Sequence, residues 1–153
     1  MPDRYFDEIE IGQKWVVKGR TITEADVVNF AYLSGDWHSI HTDREYAAHT
    51  TFGQRIAHGF LVLSISTGMV PANRETVLAL YGVDRVRFIA PVFIGDTVHL
   101  ELEAVEKKER DDGTGVVAFD YRIINQRGEP VIVAVYKLWM RKRPTDAAGT
   151  GGQ

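Results

Sequence analysis

"GFLVLSISTGMV", Gly59–Val70, is the stretch on which the fold turns. It carries no charge over twelve residues, and its only polar side chains are small hydroxyls. A bilayer span needs about 20 apolar residues, so this run is too short to cross a membrane. A segment apolar nearly all round reads as a helix buried on most sides. Such a helix needs a surface to lie against, and the rest of the chain supplies one. Val98, Leu100, Leu102 and Ala104 alternate with His99, Glu101 and Glu103. Val117, Phe119, Tyr121 and Ile123 share a face, and Val131–Met140 is a β-branched and aromatic run. "DDGTG" at 111–115 and "NQRGE" at 125–129 separate these runs as turns. Strands joined by short turns make an antiparallel sheet. Helices early in the chain and strands late in it give an α+β architecture, with one buried helix against the sheet.

Upstream, Lys14–Ile22 alternates as a strand, with Trp15, Val17 and Thr21 on one face. Thr23 and Asp26 have capping-box spacing, and Val27, Phe30, Ala31 and Ser34 then share a helical face up to a stop at Gly35. A second box, Thr42 with Glu45, opens a short helix through Tyr46 and Ala48. "APVFIGDTV", 90–98, joins two strands through Pro91 and Gly95-Asp96.

The composition is that of one soluble domain: 153 residues, 44% hydrophobic, 25% charged, net charge −3. The domain is expected over 1–143. The glycine-rich ending "PTDAAGTGGQ", 144–153, reads as a flexible tail. No basic excess points to nucleic acid or to an anionic membrane surface. The absence of cysteine excludes disulfides, thiolate catalysis and cysteine-ligated zinc. The acidic start "MPDRYFDEIEIG" is unlike a signal peptide, so a cytoplasmic location is expected.

The chemistry-bearing stretch is "SGDWHSIHTDREYA", 34–47, which crosses from one helix to the next. Asp36 and His41 lie five residues apart in it. A carboxylate and an imidazole aimed at one water form a general acid–base pair. The plainer reading makes Asp36 a loop cap and His41 a half-buried structural residue. His38 and His41, completed by His49, His58 or Asp43, are a third reading, as metal ligands. That spacing matches no recognised zinc pattern, so no metal is expected. In "IAHGF", 56–60, Gly59 sits in the first turn of the buried helix. Its N–H lacks a helical partner and faces the positive dipole end, which suits a developing oxyanion; the alternative is a glycine chosen for tight packing. Ser64 and Thr67 are either hydroxyls bonded back to their own helix or polar handles in a ligand tunnel.

In order, these motifs resemble the MaoC-type dehydratase family, which includes the (R)-specific enoyl-CoA hydratases. That pattern has an aspartate, an Asn-Pro, a histidine five residues after the aspartate, an acidic-led helix with "EYA", then "FG", then "HG" opening the central helix. Here these are Asp36, His41, "DREYA" at 43–47, Phe52-Gly53 and His58-Gly59. The lead-in "TITEADVVNFAYLSGD" and "PVFIGDTV" are similar too, and the likeness spans roughly 5–140.

The resemblance implies a hot-dog fold, a long central helix wrapped by an antiparallel sheet, and a homodimer whose sheets join. It implies hydration of a trans-2-enoyl-CoA to a (R)-3-hydroxyacyl-CoA, or the reverse. Asp36 and His41 would hold the catalytic water, deprotonate it for attack at C3 and protonate C2. The Gly59 N–H would bind the thioester oxygen, and the supporting hydroxyl of the central helix falls at Thr67. His38, His58 and Ser64 are further supporting candidates. No cofactor is implied beyond CoA as part of the substrate; Arg55, Arg85 and Arg87 are candidates for its phosphates. One departure stands out: His38-Ser39 replaces Asn-Pro. His38 either replaces the asparagine as a hydrogen-bond donor or brings a positive charge that favours an acyl chain ending in a carboxylate. Loss of the proline removes a φ restraint from the loop. A hot-dog thioesterase and a non-catalytic acyl-CoA-binding regulatory module are the rival readings.

Overall fold

The computed structural model describes residues 4–70 and 72–144. The expected tail, 144–153, falls outside them apart from Pro144. Five antiparallel strands form one sheet: β1 (Lys14–Thr21), β2 (Val77–Phe88), β3 (Thr97–Glu109), β4 (Thr114–Asn125) and β5 (Pro130–Arg141). Their spatial order is β1-β3-β4-β5-β2. Four helices precede β2: α1 (Glu24–Ser34), α2 (Ser39–Thr42), α3 (Arg44–Ala48) and α4 (Gly59–Met69). The α+β layout is the one expected.

The alternation in β3 works as read. Val98, Leu100 and Ala104 are fully buried and Leu102 nearly so, while His99, Glu101 and Glu103 point away from the core. The central strand β4 is buried on both faces over much of its length. α4 lies on this sheet through Leu61, Val62 and Leu63. Ser66, unremarked in the sequence, is fully buried and accepts a 2.6 Å hydrogen bond from the Tyr121 hydroxyl, tying helix to sheet. α4 spans the expected stretch to within one residue but is less enclosed than expected. It has three turns, and Phe60 and Ser64 on its outer side are exposed.

Two local expectations are corrected. Thr21 does not share the face of Trp15 and Val17. The β1–β3 register gains one residue between Val17 and Arg20, a bulge that reverses the side-chain alternation, and Thr21 is exposed. Thr42 does not cap α3. Asp43 does, its carboxylate accepting the Tyr46 N–H at 3.0 Å. Thr42 instead closes α2, a helical turn inside the supposed loop, and its hydroxyl donates to the Trp37 and His38 carbonyls. The α1 caps stand as read: Thr23 and Asp26 form the box, and Gly35 takes φ +77 at the C-terminus, a conformation glycine adopts without strain.

β2 is an edge strand paired only with β5. Its register is broken three times, and Arg85 sits at φ +54 in the last break, between Asp84 and Arg87. No helix among the described residues is long and apolar enough to cross a membrane.

Candidate active site

Two chain segments build the site, and each holds the other. The turn at 38–41 is made by His38, whose ring Nδ1 accepts the Ile40 N–H at 3.2 Å and caps α2. The segment 55–57 runs beside it. Ile56 donates its N–H to the Ile40 carbonyl at 3.2 Å, and the Ile56 carbonyl accepts from His41 Nδ1 at 2.8 Å. Ala57 donates to the Val92 carbonyl at 2.8 Å, which anchors the segment to the chain leaving β2.

The hydrogen bonds assign the imidazole tautomers, because a carbonyl only accepts. His41 therefore carries its proton on Nδ1 and presents a bare Nε2. His58 donates from Nε2 to the Asp36 main-chain carbonyl at 2.9 Å, so its Nδ1 carries the lone pair. That Nδ1 is buried and has no hydrogen-bond partner among the described residues. His38 accepts at Nδ1, so the proton of its neutral ring is on Nε2. Protonating Nδ1 would break the α2 cap.

Asp36 is exposed, with Oδ1 accepting the His38 N–H at 3.3 Å. His41 is half-buried. Asp36, His41 and His58 each offer one polar atom, and the three lie within 4.8 Å of one another. A metal fits these residues poorly. The His41 and His58 rings are stacked, with centroids 3.8 Å apart and planes 29° from parallel. Lone pairs in stacked rings run side by side, whereas a metal needs them to converge. Burial holds the His41 imidazole below the ordinary histidine range. The Ile56 carbonyl opposes this, the His58 and His38 rings add to it, and the Asp36 carboxylate works against it.

His41 lines an apolar cleft of about 310 Å³, together with Phe52, Ile56, Gly59, Phe88 and Ile132 among others. Gly53, at φ +70, makes the turn that sends Phe52 into it. Gly59 lies in the wall at the first turn of α4. The Phe88 ring rests on it: a methyl at position 59 would come within 2.5 Å of the ring. Tight packing is therefore one reason for the glycine, alongside any approach by a ligand.

The other candidates lie apart. Ser64 and Thr67 donate at 2.7 Å to the Phe60 and Ser64 carbonyls of their own helix, so the bonded-back reading holds for both. Arg55 pairs with Glu24 at 2.9 Å, Arg85 is exposed, and Arg87 donates to the Val86 carbonyl. None of these arginines, nor His38, lines the cleft. His49 bonds to the Glu45 carbonyl of α3. Sequence reasoning missed three contributors. Phe88 and the Ile56 carbonyl left no signal. The stacking of His58 left only a weak one, a histidine opening an apolar helix.

The family model "MaoC like domain" matches residues 8–126. Protein MaoC of Klebsiella aerogenes is 44% identical over 105 residues, 68% of this chain and 31% of that protein. The (R)-specific enoyl-CoA hydratase of Aeromonas caviae is 33% identical over 132 residues, 85% of this chain and 96% of the hydratase. The chain spans under two thirds of three curated relatives it matches: 31%, 64% and 65% of their lengths. Among solved structures, an Archaeoglobus protein described as a monoamine oxidase regulatory protein superposes with a TM-score of 0.86 at 46% identity, over 92% of this chain and 96% of that one. A Mycobacterium tuberculosis protein described as having a double hotdog fold superposes at 0.82, with 21% identity, over 95% of this chain and 46% of that one. The sheet and α4 together are a hot-dog fold.

Proposed function

The chain belongs to the MaoC-like domain family, and from that we propose that it is a (R)-specific enoyl-CoA hydratase, adding water across the trans-2 double bond of an acyl-CoA or running the reverse dehydration. The observation that carries this reading is a His41 that lines an apolar cleft with its Nδ1 proton held by the Ile56 carbonyl, and has an Asp36 carboxylate oxygen within 4.8 Å of its ring.

The water lies between the two side chains. His41 Nε2 takes one of its protons as the oxygen attacks C3. The electron pair of the double bond moves toward C2 and the thioester carbonyl. The imidazolium returns the same proton to C2, so atoms and charge balance. The Asp36 carboxylate accepts a hydrogen bond from the hydrogen that stays on the new hydroxyl. It also stabilises the imidazolium while it exists. The Gly59 N–H, with no acceptor within its own helix, stabilises the enolate oxygen. CoA acts as substrate carrier and no further cofactor takes part.

The acyl group lies in the cleft, whose wall carries no formal charge, so the reading favours a hydrocarbon chain over one ending in a carboxylate. We also propose a homodimer joined along β2. This strand has an unpaired edge and exposes Leu80, Tyr81 and Phe88, with exposed Ile89 just past its end, and an uncovered apolar edge is a ready pairing surface. Phe88 and Ile89 also line the cleft, so a second copy there would help to close it. A cytoplasmic location goes with this reading.

The test uses crotonyl-CoA. Loss of enoyl absorbance without CoA release supports the hydratase, with chiral analysis of the 3-hydroxy product giving its configuration. CoA release detected with a thiol reagent would make the protein a thioesterase. Binding without either reaction would favour a regulatory role, a reading supported by the description given to the Archaeoglobus relative.

A further inference from the structure

We propose that His58 is a positioning residue of the Asp36–His41 pair, a single side chain that fixes both the loop carrying the carboxylate and the plane of the imidazole. This rests on the hydratase reading above and assigns a role that His41 and Asp36 cannot supply for themselves.

Three separate contacts meet in this ring. Its Nε2–H bonds to the main-chain carbonyl of Asp36 at 2.9 Å. Its face stacks on His41 at 3.8 Å, and it packs against Phe30 of α1 with centroids 5.1 Å apart. Its backbone is the N-cap of α4, one residue before Gly59. Base, carboxylate and helix amide are thus referred to one rigid group. Asp36 needs this, because it is exposed and its loop lacks a proline. His41 needs it too. The bond from Nδ1 to Ile56 sets the direction of the ring in its plane, and the stack sets the tilt of that plane.

These contacts leave one His58 nitrogen, Nδ1, unused. The residue is 3% exposed, and its remaining nitrogen has no partner. A proton there would create an unpaired buried charge beside the positive end of α4 and against the face of His41. The titratable groups around His41 are His58 across the stack, Asp36 on the loop and His38 on the α2 cap. A polar residue this buried on an apolar helix could also be there for stability alone, so the test reads His41 itself.

Two substitutions separate the two contacts. His58→Gln keeps an N–H donor for the Asp36 carbonyl and loses the stack. His58→Phe keeps a ring face and loses the donor. Circular dichroism and thermal unfolding show that each is folded; if one is not, the other carries the test. The first readout is the titration of the His41 imidazole by NMR, which requires no turnover. The second is the split between kcat and KM with crotonyl-CoA. His58→Gln should move the His41 titration toward higher pH and lower kcat by about ten- to a hundredfold, with KM changed much less, as expected for misplaced groups. His58→Phe should lower kcat with a smaller effect on the titration. A folded His58→Gln protein with wild-type kcat and an unmoved His41 titration would overturn the proposal. If the wild-type protein hydrates no enoyl-CoA, the hydratase reading fails, and the titration alone then decides whether His58 governs His41.

Discussion

The Phe88 ring lies flat against the position that a Cβ would occupy on Gly59, 2.5 Å from its nearest ring atom. A strand residue from the sheet edge thus closes over the first turn of the buried helix, at the wall where the thioester is proposed to bind. Phe88 is 47% exposed and touches Phe60 edge-on at 5.4 Å, so it can swing toward solvent.

This makes the purpose of the glycine testable by a double-mutant cycle. Gly59→Ala should lower stability by about 1 kcal/mol and impair turnover, and Phe88→Ala removes the clash. If the glycine serves packing alone, the double variant should regain the activity lost in Gly59→Ala. If it serves approach of the thioester oxygen, the loss should persist in the Phe88→Ala background. Steady-state kinetics and urea unfolding of the four proteins read both outcomes.

Asp36→Asn and His41→Ala should each lower crotonyl-CoA hydration by at least about a hundredfold, the usual scale of acid–base catalysis. Both sites are partly open to solvent, so unfolding midpoints should move little. Near-wild-type turnover in either variant would remove it from the mechanism.

The acid limb of kcat/KM should lie below the ordinary histidine value of about 6.5. Burial, then the neighbouring imidazoles, depress His41, so its base form survives to lower pH. For stability the sign is the same. A depressed folded value contributes stability above the unfolded value, and that is lost as pH falls through the folded one. Asp36→Asn removes a charge that opposes the depression, so the His41 NMR titration should move further to acid. A shift toward alkaline pH would contradict the assigned surroundings.

His38→Asn should hold activity close to wild type on simple enoyl-CoAs, since asparagine caps a helix as well as the imidazole does. His38→Leu should cost about 1 kcal/mol in urea unfolding through loss of the Ile40 contact. Because neither His38 nor any lysine or arginine lines the cleft, an enoyl-CoA ending in a carboxylate should react more slowly than its methyl-ended counterpart. A preference for the carboxylate would contradict this.

Asp96 should be the acid-sensitive lock of the turn before β3. Burial raises its carboxyl, but Arg127, Gln126 and the Phe93 N–H outweigh that and hold it below the usual range. Its contribution to stability is therefore complete above the unfolded aspartate value, about 3.9, and fades as pH falls through the lower folded value. Asp96→Ala should cost about 1–3 kcal/mol at neutral pH, because the hydrogen bonds to a buried carboxylate are lost. Thermal unfolding across acid pH should show the variant converging on wild type.

Much of this protein was determined by local order along the chain. Alternation in β3, the two glycine turns flanking β4, the Thr23–Asp26 box with Gly35, and a charge-free helix at 59–70 set the α+β hot-dog fold, because periodicity and cap chemistry act over a few residues. The same stretch singled out Asp36 and His41. What local order did not carry was anything made by residues distant in the chain. The bulge that turns Thr21 outward depends on the register of β1 against β3. The capping role of His38 depends on a helical turn that was hidden in an apparent loop. The tautomer of His41 depends on the Ile56 carbonyl fifteen residues away, and its plane on His58. The reason for Gly59 depends on Phe88, from another strand. Those contacts exist only once the sheet has closed on its helix, so tertiary structure alone decides which His41 nitrogen carries the lone pair and what holds the ring in place.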